Sequence, residues 1–164
     1  MKKRLITLAV LAITLTGTLT GCSSDKLYEN DKVILSDANA FMISDCSEEI
    51  NGQSMKASIS KVKGMNEIWT YEADKDMTLD VSYLLKATKG EAKLVLITPD
   101  KTVTNIVEAT SESKMDGTVP GVLELKKGHN VIKFVAKKDT AAEFEINIPV
   151  GEFKKMEMEV DVDK

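Results

Sequence analysis

Two cysteines, one histidine and 26 carboxylates are the groups in this 164-residue chain on which reactive chemistry could be built. Triad catalysis needs an imidazole to move a proton. His129 is the only candidate, and it stands in the turn-forming run Lys127-Gly128-His129-Asn130, with no Gly-x-Ser-x-Gly elbow anywhere in the chain. A zinc site of the usual type needs more His and Cys ligands than His129 and Cys46 supply. Asp74-Lys75-Asp76 and Asp116-Gly117 are too sparse for a calcium loop, and no glycine-rich phosphate loop or dinucleotide fingerprint occurs. Paired carboxylates can hydrolyse glycosides, but among so many acids sequence proximity carries no information. No catalytic residue, metal or cofactor is therefore expected, and the chain reads as a non-enzyme. Sugar binding needs exposed aromatic faces. Trp69 and Tyr71, at positions i and i+2, are the candidate ligand contacts, although they share the less polar face of their segment and equally suit a core.

Cys22 carries the sharpest signal. Lys2, Lys3 and Arg4 form a positive start, and Leu5 to Leu15 is an apolar run too short for a membrane span of about 20 residues. Small and polar residues follow, which is the layout of a secretory signal. The four residues Leu19-Thr20-Gly21-Cys22 that close this leader resemble the lipobox of bacterial lipoproteins: an aliphatic residue, a small residue, Gly or Ala, then Cys. The resemblance covers the first 22 residues. It implies recognition by a signal peptidase through Leu19, Thr20, Gly21 and Cys22, removal of residues 1–21, and a covalent diacylglyceryl lipid on Cys22. Two acyl chains contribute on the order of 20 kcal/mol at about 0.8 kcal/mol per buried CH₂, enough for lasting attachment. The implied address is the extracytoplasmic side of a bacterial envelope membrane, with the membrane itself as a partner. Ser23 resembles lipoproteins sent onward to an outer membrane where a cell has one.

Removing the leader leaves 143 residues, enough for one domain with a real core. It also leaves 19 Lys and Arg against 26 Asp and Glu, a net charge of about −7. That balance argues against nucleic acid and against a second, electrostatic grip on anionic lipid. Alkylation of Cys22 would leave Cys46 without a partner in its own chain. The acids Asp45, Glu48 and Glu49 beside it should raise its pKa, so it reads as a small apolar residue and not as a poised thiolate.

The elements that must position these groups are strands. Residues 22–31 read as the lipidated cysteine and a polar tether, and residues 32–164 as one domain with a core over about 53–150. Apolar residues recur at alternate positions: Val33 and Leu35; Phe41 and Ile43; Met55, Ala57 and Ile59; Trp69, Tyr71 and Ala73; Met77 through Leu85. Lys89-Gly90 predicts a turn into Ala92-Leu94-Leu96 as hairpin partner. Thr98-Pro99-Asp100-Lys101 predicts a second turn, with Val103 to Val107 running back. A long connection, Glu108 to Gly121, leads to Leu123 and Leu125. Then Ile132 to Ala136 and Ala142 to Ile148 are joined across a Lys137-Lys138-Asp139-Thr140 turn. An acidic alternating tail covers 151–164, its Met156, Met158, Val160 and Val162 suiting a last edge strand. No helical repeat is apparent.

Short strands at regular spacing predict an all-β, antiparallel sandwich, immunoglobulin-like or jelly-roll-like, of seven to nine strands. The Thr98-Pro99-Asp100 and Lys127-Gly128-His129-Asn130 turns give the mature region a loose resemblance to secreted β-sandwich lipoproteins, which implies no activity. The functional expectation is a non-catalytic binding module at the cell surface for an envelope protein, an envelope component or a small ligand. The alternatives are a carbohydrate-binding module and a small envelope hydrolase.

Overall fold

Two strands of 20 residues each, β3 (Ser54–Ala73) and β8 (Gly128–Asn147), organise the chain. The computed structural model describes residues 25–36 and 41–156. The leader with its Leu19-Thr20-Gly21-Cys22 box, and the tail beyond Met156, lie outside the described residues. The other elements are α1 (Asp25–Tyr28), α2 (Asp31–Ile34), β1 (Phe41–Met42), β2 (Asp45–Asn51), β4 (Met77–Lys89), β5 (Glu91–Ile97), β6 (Val103–Thr110), β7 (Val119–Leu125) and β9 (Glu152–Phe153).

Strands β3 and β8 pair along their whole length, antiparallel, and the ladder breaks midway. Register shifts fall between Ile59 and Gly64, where Lys61 and Gly64 take positive φ (51° and 114°); on the facing strand Asp139 does the same (59°). Bulges of this kind let one strand serve two sheets. On one side of the bend the order is β2–β3–β8–β4–β7. On the other side it is β3–β8–β5–β6, with β1 and β9 on the free edge of β3. The chain is thus an antiparallel β-sandwich, as its alternation predicts. Its interior takes Met55, Ala57 and Ile59 from the first sheet and Trp69, Ile132 and Phe134 from the second. Phe134 and Phe144 stack with ring centroids 5.4 Å apart, one from each side of the bend.

In most strands burial alternates, one face dry and one wet. Strand β5 and the first half of β8 break the rule, being buried on both faces. The second cover is the N-terminal segment. Tyr28 and Ile34 pack with Met65, Val95 and Val135 on the outer face of the second sheet, forming a separate small core.

Several expectations are corrected by this architecture. Residues 25–31 are not a free tether: α1 begins at Asp25, and Tyr28 is only 2% exposed. Val33 and Leu35 belong to no strand. Asn30 caps α2 by accepting a hydrogen bond from the Lys32 backbone N–H, and two alternating residues are too few to separate the periods of strand and helix. Lys137-Lys138-Asp139-Thr140 is not a turn between strands but the bulge within β8. Strand β5 is no hairpin partner of β4. After Gly90 (φ 74°) the chain crosses to the other sheet, where β5 lies between β8 and β6. The connection after β6 spans only residues 111–118, and Pro120 lies inside β7, an edge strand where a missing N–H is tolerated. Of the tail, β9 pairs with Trp69 and Thr70. Met156 is buried, with its backbone N–H donating to Glu48 Oε2 at 3.0 Å.

A candidate binding groove between the free edges

The two aromatic candidates do not form a platform. Trp69 is 0% exposed, and its indole Nε1 donates to the Val150 carbonyl at 2.9 Å. Gly151 (φ 86°) passes so close over the indole that a Cβ there would lie 2.5 Å from it. The ring is core, held by the chain returning from β8, and the ligand contact proposed for it is corrected on that ground. Tyr71 is partly exposed, with its ring centroid 6.1 Å from that of Trp69. It lines a shallow depression with Thr70, Glu72 and His129. There His129 Nδ1 lies 3.5 Å from a Glu72 carboxylate oxygen, both side chains largely in water. This is an exposed contact in a shallow depression. Among the described residues no three His, Cys, Asp or Glu side chains cluster as a metal site. Cys46 is partly buried, and burial, followed by the charge of Glu48, pushes its thiol pKa up, the direction its neighbours predict.

A more enclosed concavity lies elsewhere. Strands β6 and β7 end their respective sheets on the same side of the sandwich, and no ladder joins them to each other. The gap between them is a groove of about 540 Å³. Its apolar lining is Tyr83, Leu96, Ile106, Val122 and Leu123, which are inward-facing core positions reached from the side and, in Val122, an outward one. Val122 is 62% exposed, one of two large apolar side chains so exposed among the described residues. Gly121 lets the Tyr83 ring lie against β7, where a Cβ would come within 2.5 Å of ring atom Cε1. The polar lining is Thr98, Thr102, Thr104 and Asn105 along one wall, with Asp100, Glu124 and Lys126 at the end.

The Thr-Pro-Asp turn shapes that end. Thr98 Oγ1 donates to Asp100 Oδ1 at 2.6 Å, and the Thr102 backbone N–H donates to the same oxygen at 3.3 Å. These hydrogen bonds, the Thr98 hydroxyl foremost, hold the Asp100 carboxyl below its ordinary range. Lys126 Nζ pairs with Asp76 Oδ2 at 3.2 Å, and the Lys127 backbone N–H donates to Asp76 Oδ1 at 2.8 Å. The backbone bond first, then Lys126, lowers the Asp76 pKa; in return Asp76 raises that of Lys126. Asn130 Oδ1 accepts from the Lys126 backbone N–H at 3.0 Å and fixes the turn behind the lysine. A glycosidase acid must have its pKa raised so that it holds a proton at neutral pH. Asp100 is pushed the other way, so its carboxylate is poised to accept hydrogen bonds and not to donate a proton.

Sequence reasoning read Thr98-Pro99-Asp100 only as turn chemistry and did not find the groove. Its one signal was Val122, an apolar residue out of phase with Leu123 and Leu125.

No family profile matches the chain, and no curated protein matches it. Among solved structures it is similar to a mutant of the carbohydrate-binding module CBM29-2 complexed with mannohexaose. The identity is 12%, coverage is 68% of this chain and 79% of that one, and the TM-score is 0.37. A structure described as carbohydrate binding module family 29 gives 12% identity, 68% and 77% coverage and a TM-score of 0.32. Procruciferin, an 11S globulin from Brassica napus, gives 13% identity, 74% and 29% coverage and a TM-score of 0.33.

Proposed function

We propose that this protein is a non-catalytic binding module, held by a lipid on Cys22 at the extracytoplasmic side of a bacterial membrane, that takes a neutral, polyhydroxylated ligand such as an oligosaccharide. The observation that carries the ligand class is the lining of the β6–β7 groove. A sugar ring offers apolar C–H faces and a rim of hydroxyls. Tyr83, Ile106 and Val122 supply apolar surface for the first. Thr98, Thr102, Thr104, Asn105, Asp100 and Glu124 supply donors and acceptors for the second. The end of the groove carries two carboxylates against one lysine, whose ammonium already pairs with Asp76, which disfavours phosphate and other anions.

The support for the anchor is the order of cationic start, apolar run and lipobox in the sequence. The test of the ligand is a glycan array probed with the purified protein and with Thr104→Arg, which fills the groove from an exposed position. Binding of neutral glycans that Thr104→Arg abolishes is the expected result. Retention by the variant, or binding confined to anionic polymers, overturns the assignment. Mass spectrometry of the membrane-bound protein should find an acylated N-terminus at Cys22. An unmodified chain starting at Met1 refutes the anchor.

A further inference from the structure

The polar end of the groove and the start of the described chain lie at opposite ends of the first half of β8. At one end, Lys137 Nζ is 3.9 Å from Glu29 and 5.1 Å from the centroid of the Tyr28 ring. Lys93 Nζ lies 4.6 Å from the same centroid, and the Tyr28 hydroxyl donates to Glu108 Oε1 at 2.7 Å. Farther along, buried Lys133 donates to the carbonyl oxygens of Ile34 (3.1 Å) and Ser36 (2.6 Å), at and just past the C-terminal end of α2. Residues 25–36 are therefore fastened to the sheet by cations on an aromatic ring, by carbonyl caps and by the buried Ile34. At the other end, Lys126 and Lys127 enter β8 beside the groove. Gly128, beside the Asp100–Lys126 end of the groove, and Lys137 are nine residues apart within β8, about 30 Å at the rise of a strand. The other end of the groove, at Ile106, comes within two residues of Glu108.

We propose that the short link from Cys22 and the docked segment 25–36 hold the domain with α1 at the membrane and the polar Asp100–Lys126 end of the ligand groove turned away from it. This rests on the reading that Cys22 carries the lipid. Cys22 precedes α1 by three residues, a reach of at most about 10 Å. An impenetrable bilayer on one side of so short a link excludes orientations that tip the far end down. Among the described side chains of the covering segment the exposed ones are Lys26, Glu29, Asn30, Asp31 and Lys32, whose charges cancel. Among the described residues only Met42 and Val122 are large, apolar and well exposed, so no apolar face draws the domain flat onto lipid. A ligand borne by another surface then meets the groove without entering the headgroup layer.

The test uses the full-length protein with Cys46→Ser, carrying one fluorophore on Lys26→Cys or on Lys127→Cys, both exposed positions. It is reconstituted in vesicles whose headgroups bear a quencher. Strong quenching at position 26 and several-fold weaker quenching at position 127 are expected. Inserting a 12-residue Gly-Ser linker between Ser24 and Asp25 adds a flexible span of about 20 Å and should abolish the contrast. Equal quenching at the two positions in protein that floats with the vesicles overturns the orientation and leaves the anchor standing. Contrast that survives the linker also overturns it, because the short link would then not be its cause. Protein that does not float refutes the anchor and the orientation together.

Discussion

Ile34→Ala is the substitution that decides whether residues 25–36 belong to the domain. Ile34 is 0% exposed and packs with Met65, Val95, Val135 and Tyr28 on the outer face of the second sheet. The change removes three carbons, worth about 2.4 kcal/mol at about 0.8 kcal/mol each. A residual cavity raises the expected cost to about 3 kcal/mol. The loss is capped by the docking free energy of the segment, because beyond that the segment detaches while the sandwich stays folded. For a domain of this size about 3 kcal/mol corresponds to a fall in Tm of about 10 °C. Urea denaturation followed by circular dichroism measures it as a lower midpoint at unchanged slope. Exposed Lys32→Ala serves as the comparison and should change stability by less than about 0.5 kcal/mol. An Ile34→Ala protein as stable as the parent would refute the docking argument, since a tether contributes nothing to the folded state.

Lys133→Ala removes the ammonium from the carbonyls of Ile34 and Ser36 and should cost about 2 to 4 kcal/mol in the same urea titration, from leaving buried acceptors unpaired. Gly151→Ala forces a side chain onto the Trp69 indole at positive φ and should cost at least about 2 kcal/mol. Because Trp69 is the only tryptophan, a red-shifted emission reports its displacement, and an unchanged spectrum with unchanged Tm refutes the packing. Asp76 and Asp100 have pKa values lowered in the folded state. The unfolded chain therefore takes up their protons first as pH falls. Their contribution is present above about pH 4, the ordinary carboxylate range, and is lost as pH falls through the lowered values. Urea midpoints measured from pH 7 to pH 3 should drop below that range, and Asp76→Asn should flatten the drop. At the alkaline end, burial and then Glu108 raise the Tyr28 pKa, so the folded phenol stays protonated. Its contribution is present below about pH 10 and is lost as pH rises above it, an effect Tyr28→Phe should remove.

The sandwich was legible where strands alternate cleanly, as in Met55–Ile59 and Met77–Leu85, because one face meets water and the period survives. It was illegible where both faces are covered. In β5 and the first half of β8, burial by the core on one side and by α1 and α2 on the other erases the alternation. The two long strands were each read as two short ones, since the bulges at Lys61–Gly64 and Asp139 carry polar and glycine residues that look like turns. The segment 25–36 was hidden for a different reason. Its anchors, Tyr28 and Ile34, meet partners more than 30 positions away in the chain, and a one-dimensional pattern holds no trace of Lys133 or Val135 beneath them. The groove was hidden likewise, being made of two edges that do not pair.

The most direct measurement of the central claim is amide chemical-shift mapping with the neutral oligosaccharide that binds best on the array. The account predicts perturbations confined to Tyr83 and its neighbours and to residues 96–106 and 119–126, saturating with ligand and absent in Thr104→Arg. Perturbations centred on Tyr71 and His129, or none at saturating ligand, would contradict it.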